Sequence, residues 1–218
     1  SPDGAIQFTA DPSLDFTFYD LEHSVFDVPQ MRVFMQFLLH PAAILERGSP
    51  GTNQPIIVRI PAYGREMNQW MIKNVLDQGA YGIVVPHVEN GAQALNIVRS
   101  MRYPHRPTDP DFEPEGQRGA APVNAARYWG VTVPEYQAKS DLWPLDPKGN
   151  MLSWMLIENG PGVDNAREIA AVRGVSILSP APGDLGSFRN GDQVAVERDV
   201  QAVLAACKEF NVVCGITA

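Results

Sequence analysis

Residues 72–90 of the chain, IKNVLDQGAYGIVVPHVEN, join the end of a helical pattern to a nearly continuous apolar run. Gly79 stands where helices commonly end, because glycine adopts the left-handed conformation of a helix terminus without strain. The run at 81–87 is rich in valine and isoleucine and does not alternate with polar residues, which predicts a strand covered on both faces. A helix followed at once by a buried strand indicates the repeating unit of a parallel α/β sheet.

The same alternation extends over most of the chain. Apolar runs typical of strands occupy residues 15–20, 55–60, 81–87, 151–158, 174–180 and 211–218. Amphipathic helical patterns occupy residues 65–78, 90–102, 162–172 and 195–210. Six such strands, together with the absence of a G-x-G-x-x-G pattern at the start of any helix, favour a TIM-type (β/α)8 barrel over a doubly wound sheet.

Both ends of the sequence depart from the pattern of a complete barrel. Residues 5–9, AIQFT, suit a first strand, but the few residues before Phe16 are too few for a crossover helix. We therefore expect a barrel that is truncated or incomplete at both ends. A parallel strand left at an open edge invites pairing with another chain, which predicts a homo-oligomer.

Length and composition favour one soluble domain over residues 1–218. The net charge of −8 argues against nucleic acid or an anionic membrane as partner. The sequence contains neither an apolar run of membrane-spanning length nor a signal-peptide pattern. Cys207 and Cys214 are expected to be reduced core residues, which fits a cytoplasmic protein. Residues 103–122, dense in proline and charge, are an insertion loop that suggests part of a lid.

Ionisable residues gather where the predicted strands end, and in a barrel those ends share one face. Asp20, Glu22 and His23 follow the first strand, Arg59 ends the second, His87 follows the third, Glu158 the fourth and Asp184 the fifth. Two neighbouring carboxylates without a cysteine beside them suit a hard divalent cation such as Mg²⁺ or Mn²⁺. A solvated loop acid at Glu158 and an N-cap at Asp184 are the structural alternatives.

Two of these side chains, Arg59 and His23, and a further acid, Asp77, need a closer interpretation. Arg59 ends an apolar run, where a guanidinium binds a substrate carboxylate or forms an ion pair with an acid such as Asp20. Asp77 lies in the last turn of its helix, where its charge opposes the helix dipole and invites a partner. His23 is a candidate general base, because histidine is the side chain that commonly serves this role at neutral pH, and Asp77 would raise its basicity.

The motifs FYDLEHS, VRIPA, IKNVLDQGAYGIVVPHVEN, VRSMRYP, QRG, MLIEN and PGDLG occur in this order over about residues 15–216. In this combination the chain resembles the HpcH/HpaI aldolase family, the metal-dependent pyruvate aldolases related to macrophomate synthase and citrate lyase β-subunits. The resemblance implies a TIM-type barrel, a divalent metal cofactor (Mg²⁺ or Mn²⁺), and a homo-oligomer, either a trimer or a hexamer.

The resemblance also implies roles for individual residues. Glu158 and Asp184 would ligate the metal, and the backbone around Gly183 would line the pyruvate site. Leu156 stands where many family members carry a glutamine that contacts pyruvate, and Ala181 replaces a family glycine. These two departures predict altered substrate binding.

The remaining roles concern proton transfer and charge. The resemblance implies that His23 is the acid/base residue with Asp77 supporting its basicity, and that Arg59 stabilises the enolate and its carboxylate. Asp20 would lie beside His23 and help handle the aldehyde. His87 and Arg118 lie in segments that resemble the family, and we expect both to be structural.

The function that the resemblance implies is that of a class II aldolase. Such an enzyme cleaves or forms a carbon–carbon bond in a 4-hydroxy-2-oxo acid, with pyruvate and an aldehyde as the products. Two alternatives remain at this point: a decarboxylase of oxaloacetate that uses the same metal and enolate, and a degenerate barrel that serves as a non-catalytic binding or assembly subunit.

Overall fold

The computed structural model describes residues 1–11, 13–67 and 69–216, and its centre is one sheet of six parallel strands. The strands are β1 (Thr17–Asp20), β2 (Ile56–Arg59), β3 (Gly82–Val85), β4 (Leu152–Ile157), β5 (Ile177–Pro180) and β6 (Val213–Cys214). Each lies within one of the six apolar runs, so the strand predictions are confirmed.

The strands follow one another across the sheet in chain order, from β1 to β6. Asp20 pairs with Arg59 in the register of β1 and β2, so these two strand ends are level. Within the part of the chain that the structure describes, β1 and β6 do not pair, and the sheet is open rather than a closed eight-stranded barrel. The sequential order is nevertheless that of a barrel wall, because a doubly wound sheet reverses its strand order at a switch point.

The helices are α1 (Pro2–Ala10), α2 (Val28–Phe37), α3 (Pro41–Arg47), α4 (Gln69–Leu76), α5 (Gly91–Met101), α6 (Val123–Trp129), α7 (Val133–Lys139), α8 (Gly160–Asp164), α9 (Ala166–Ala170), α10 (Pro182–Phe188) and α11 (Gln193–Phe210). A 3-10 turn spans Gly64–Glu66. The suggestion of a strand at residues 5–9 is wrong, because they belong to α1. The Ser1 side chain accepts a hydrogen bond from the backbone of Gly4, and Pro2 occupies the first turn.

The two faces of the sheet have different surroundings. One face packs under the helices and supplies the main core, with Val58, Ile83 and Met155 fully buried. The other face carries a small apolar cluster of Ile57, Val84 and Leu156. That second face is the one that would point into a barrel.

The Pro-rich segment 103–122 is tied to the amino edge of the sheet. The buried Arg102 guanidinium donates hydrogen bonds to the backbone oxygens of Pro114 and Asp111, 2.5 and 2.7 Å away. Arg118 is also buried and lies against Met151, which immediately precedes β4. The segment therefore lies at the end of the sheet opposite the carboxyl ends of the strands, and it is not a lid over them in the same chain.

A disulfide joins Cys207 in α11 to Cys214 in β6. The prediction of reduced cysteines is wrong: both lie in apolar patterns, but the turn at Asn211 brings β6 back alongside the end of α11. Because the two cysteines are not free thiols, they no longer support the prediction of a cytoplasmic protein. Among the described residues, none of the helices is both long and apolar enough to cross a membrane.

Candidate active site

The carboxyl ends of β3, β4 and β5 surround a cleft of about 450 Å³. Asn90 and Asn159 cap the helices that follow β3 and β4, each accepting a hydrogen bond from a backbone N–H three residues on. These caps fix the two loops that carry the cleft's polar side chains. The cleft is lined by Tyr63, Arg65, His87, Glu89, Glu158, Asn159, Pro161, Asp184, Ser187 and Phe188.

Glu158 is the most deeply buried acid of this cleft, with 4% of its surface exposed. Its Oε2 accepts a hydrogen bond of 2.6 Å from the backbone N–H of His87. Burial raises the pKa of Glu158 to about 7, and the nearby acids Asp184 and Glu22 act in the same direction, against the hydrogen bond from His87 and the charge of Arg59. Glu158 is therefore a carboxylate that a bound cation would help to keep ionised.

His87 places its ring at the same carboxylate that its backbone contacts. Its Nε2 lies 3.6 Å from Oε2 of Glu158, and its ring packs against Tyr63 with 4.2 Å between the centroids and a tilt of 44° between the planes. Burial lowers the pKa of His87, so its ring favours the neutral form. One ligand atom each of His87, Glu158 and Asp184 lie within 4.8 Å of one another. The two acids predicted to share a cation are therefore brought together.

Asp20, Glu22 and Arg59 form an ion-pair cluster at the ends of β1 and β2. The guanidinium of Arg59 donates to both carboxylate oxygens of Asp20, at 3.0 and 2.5 Å, and its Nε lies 3.2 Å from Oε2 of Glu22. Burial opposes the charge of Asp20, but the hydrogen bonds from Arg59 and from the backbone of Glu22 outweigh it and lower its pKa. The ion pair between Arg59 and Asp20, one of the two alternatives that the sequence offered for Arg59, is therefore present.

His23 and Asp77, predicted to act together, have different neighbours. The His23 side chain is 69% exposed, and its Nε2 lies 3.6 Å from Glu22. Asp77 follows α4 at the amino edge of the sheet, where it pairs with Arg118 at 3.0 Å and with Lys73 at 3.4 Å. Within one copy of the chain, Glu22 takes the place beside His23 that the sequence assigned to Asp77.

The predicted pyruvate-binding positions lie on both sides of Glu158. Leu156 is buried on the sheet face opposite the helices, two residues before Glu158. Gly183 lies in the first turn of α10 beside Asp184, and a Cβ added at Gly183 would meet no atom within 4 Å. Ala181 is buried at the N-cap of α10. The loop after β5 therefore leaves open space next to one of the two acids.

Sequence reasoning did not select several residues of the cleft. Arg65 lies 3.5 Å from Glu89, which accepts a hydrogen bond of 2.9 Å from the side chain of Asn159. Glu89 and Asn159 each follow a buried strand in the related motifs VENG and IENG, which was a usable signal. Arg65 lies in the 3-10 turn after β2, and nothing in the local pattern of the sequence marks it.

His105, Asp111 and Asp141 form a second cluster with metal-ligand chemistry, at the amino edge of the sheet. Arg102 already binds both oxygens of Asp141 at 2.7 Å and approaches Asp111 at 3.7 Å. A guanidinium in the centre of the group neutralises the acids, so this cluster is a buried ion pair rather than a cation site.

The sequence profile of one family, HpcH/HpaI aldolase/citrate lyase, matches residues 6–216. The 5-keto-4-deoxy-D-glucarate aldolase of Klebsiella pneumoniae is 32% identical over 208 residues, covering 94% of this chain and 69% of the relative. The enzyme of the same name from Citrobacter koseri is 33% identical over 172 residues, covering 77% of this chain and 59% of that relative.

Solved structures agree with these sequence relatives. An HpcH/HpaI aldolase/citrate lyase family protein from Burkholderia cenocepacia has a TM-score of 0.79 at 27% identity, covering 100% of this chain and 76% of its own. Macrophomate synthase has the same fold, with a TM-score of 0.72 at 22% identity over 98% of this chain and 67% of its own. The expected family and the expected class, a carbon–carbon lyase, are confirmed. The chain belongs to the HpcH/HpaI aldolase/citrate lyase family.

Proposed function

We propose that the chain is a divalent-metal-dependent aldolase that cleaves, or in reverse forms, the C3–C4 bond of a 4-hydroxy-2-oxo acid, with pyruvate and an aldehyde as products. The observation that carries this proposal is the convergence of Glu158 and Asp184 at the ends of β4 and β5. In a chain of this family, that pair occupies the face of the sheet where parallel α/β enzymes place their chemistry. No observation on the described residues favours the decarboxylase or the non-catalytic alternative.

The names of the curated relatives suggest the substrate class. In 5-keto-4-deoxy-D-glucarate a keto carbon adjoins one carboxylate, and a deoxy carbon and then a hydroxyl-bearing carbon follow. Numbered from the keto end, that molecule is a 4-hydroxy-2-oxo acid with a second carboxylate at its far end. We extend this class, a dicarboxylic 4-hydroxy-2-oxo acid, to the present chain as part of the proposal.

The residues of the cleft fit a divalent cation. Glu158 is a buried carboxylate with one backbone hydrogen bond, and Asp184 beside it is exposed to the cleft. Two oxygen ligands with open positions are the donor set that Mg²⁺ and Mn²⁺ accept. A cation bound there would take up the keto and carboxylate oxygens of the substrate and stabilise the negative charge that develops on the keto oxygen.

The proton of the C4 hydroxyl needs a base, and His23 is the proposed one. As His23 accepts that proton, the C4 carbon becomes the aldehyde carbonyl and the C3–C4 bond breaks. Its electron pair stays with C3, which takes up a proton to become the methyl group of pyruvate. Glu22, 3.6 Å from His23, would hold the ring in place. Asp77 lies at the opposite end of the sheet within one copy of the chain, so the supporting role predicted for it from the sequence would require contact with another copy.

Arg59 and Asp20 would act as one unit. Because both oxygens of Asp20 bind the guanidinium, the pair would present the remaining Arg59 N–H groups to the substrate and keep Asp20 ionised. We propose that Leu156 and the backbone at Gly183 line the pyruvate end of the site. At the scale of the fold, we propose that the six-stranded sheet is part of a barrel wall and that the protein is a homo-oligomer.

The test is pyruvate release from a 4-hydroxy-2-oxo acid with added Mg²⁺ or Mn²⁺, measured before and after EDTA. EDTA should abolish the activity, and Glu158→Gln should lower kcat by at least about a thousandfold, since it removes a charged ligand of nearly the same shape. Glu46→Gln, which neutralises an exposed glutamate of α3, is the matched control and should retain full activity. Activity that survives both EDTA and Glu158→Gln would overturn the metal mechanism.

A further inference from the structure

We propose that His87 is a third ligand of the metal, so that the site takes a nitrogen donor together with the carboxylates of Glu158 and Asp184. The inference deepens the proposed function and rests on it only for the two acidic ligands. It changes the expected metal. Two carboxylates alone suit Mg²⁺, whereas a neutral imidazole favours first-row transition ions, with affinity rising from Mn²⁺ through Co²⁺ to Ni²⁺.

The distance between His87 and Glu158 is the first argument. Nε2 and Oε2 lie 3.6 Å apart, which is too long for a direct hydrogen bond and leaves room for an atom between them. With metal–ligand bonds of about 2.1 Å, two ligands at a right angle lie about 3.0 Å apart and two opposite ligands about 4.2 Å apart. The observed separation falls inside that range, and a carboxylate oxygen of Asp184 lies within 4.8 Å of one ligand atom each of His87 and Glu158.

The way in which the chain holds His87 is the second argument. Its φ is 47°, a left-handed conformation that a residue with a side chain rarely adopts. This conformation points the backbone N–H at Oε2 of Glu158 and brings the ring to the same oxygen. Tyr63 packs against the ring, with 4.2 Å between the ring centroids. A residue that served only to fill space would need none of these three restraints.

The contrast with the second histidine cluster is the third argument. His105 also lies near two acids, but Arg102 occupies that group and approaches Nδ1 of His105 at 3.4 Å. No lysine or arginine forms an ion pair with Glu158 or Asp184 among the described residues. Of the two clusters, only the one at the cleft combines an imidazole with acids that form no direct ion pair with an arginine or lysine among the described residues.

The test is calorimetric titration of the full chain, freed of any histidine tag, with Mg²⁺ alone and with Ni²⁺ alone. His87→Asn is the variant to use, because asparagine tolerates a left-handed backbone and preserves the loop. It should weaken Ni²⁺ binding by at least about tenfold and change Mg²⁺ binding by less than about threefold. His105→Asn is the matched control and should bind both ions as the wild type does.

A spectroscopic measurement reports the nitrogen ligand directly. Electron spin echo modulation from an imidazole nitrogen should be present in the Mn²⁺-loaded wild type and in His105→Asn, and absent in His87→Asn. The inference is overturned if His87→Asn binds Ni²⁺ like the wild type and keeps the modulation. It is also overturned if His105→Asn, rather than His87→Asn, loses tight Ni²⁺ binding and the modulation.

Glu158→Gln separates this inference from the proposed function. If Glu158→Gln loses both ions while His87→Asn loses neither, the metal centre stands and only the third ligand fails. If Glu158→Gln binds both ions unchanged, the proposed metal centre itself is wrong, and the assignment of His87 to it fails as well.

Discussion

At the scale of single residues, the role proposed for Glu22 beside His23 comes with a cost to stability. Its carboxylate lies between His23 and Arg59, and its side chain is 9% exposed. Burial raises its pKa above the usual 4.5, which the charge of Arg59 only partly offsets. The folded protein therefore holds the Glu22 proton more tightly than the unfolded chain does, and ionising Glu22 costs stability as pH rises above its unfolded pKa.

We therefore predict that Glu22→Gln separates stability from activity. Relative to the wild type, the variant should gain stability between pH 4 and pH 8, because glutamine never takes on the buried charge. It should also lose about tenfold in kcat, because His23 loses the acid that holds it. Urea unfolding at the two pH values and steady-state kinetics measure the two effects.

Glu135→Gln is a control in which the free energy of unfolding should change with pH in the opposite direction. The backbone and side chain of Thr132 donate to Glu135 and lower its pKa, so the ionised form stabilises the fold above its unfolded pKa. This variant should therefore become less stable than the wild type as pH rises to 8, with kcat unchanged. If Glu22→Gln also becomes less stable than the wild type as pH rises, Glu22 is an ordinary ion-pair partner of Arg59.

Arg65 is the arginine that lines the cleft, and we predict that it binds the far carboxylate of the proposed dicarboxylic substrate. Its side chain is 56% exposed, and its ion pair with Glu89 is long, at 3.5 Å, so the guanidinium is available to a ligand. Arg65→Gln should raise KM for 5-keto-4-deoxy-D-glucarate by about tenfold, the value of one partly exposed charge-assisted hydrogen bond, with little change in kcat.

The comparison that decides this prediction uses a 4-hydroxy-2-oxo acid without the second carboxylate. Its KM should be the same for Arg65→Gln and the wild type. Arg106→Gln, which breaks an exposed ion pair with Asp109 far from the cleft, should leave both KM values unchanged. An equal rise in KM for both substrates would place Arg65 at the pyruvate end or in a structural role.

At the scale of secondary-structure elements, the sequence predicted the buried strands well and the short helices poorly. The central strands are covered on both faces and need a continuous apolar run, and the partly exposed edge strands β1 and β6 also lie within apolar runs, so all six strands left a visible signal. Helices such as α6 and α7 are seven residues long, too short to display a helical period. In α1, isoleucine, phenylalanine and threonine favour a strand, but the Ser1 cap and the packing of Ala5 in the core outweigh those preferences.

The connection between α11 and β6 is an element whose stability should depend on redox conditions. The disulfide joins cysteines seven positions apart, and closing so short a loop contributes about 2 to 3 kcal/mol by limiting the unfolded chain. A reducing agent should lower the free energy of unfolding of the wild type by about this amount. The double variant Cys207→Ala/Cys214→Ala should not respond to the reductant. Two free thiols in the untreated protein, measured under denaturing conditions, would contradict the disulfide.

At the scale of the whole molecule, the candidate site depends on contacts that no single segment contains. Glu158 and Asp184 were predictable because each follows a strand, and parallel strands bring such positions to one edge. The same rule applied to the partner of His23, because Glu22 follows a strand as His23 does, whereas Asp77 precedes one; the pairing with Asp77 instead rested on its place against the helix dipole and on the family resemblance. Asp77 precedes β3 and Glu22 follows β1, so the two acids lie at opposite ends of the same sheet.

The metal site should also link cation binding to the stability of the whole chain. A cation that binds only the folded state stabilises it, by about 2.7 kcal/mol at a concentration a hundred times its Kd. For a chain of this size, each kcal/mol raises Tm by about 2 to 4 °C, so saturating Mn²⁺ should raise Tm by about 5 to 11 °C. EDTA should reverse the shift, and Glu158→Gln should show none, whereas Glu46→Gln should respond as the wild type does. A shift that persists in Glu158→Gln would place the stabilising cation outside the cleft and would contradict Glu158 as its ligand.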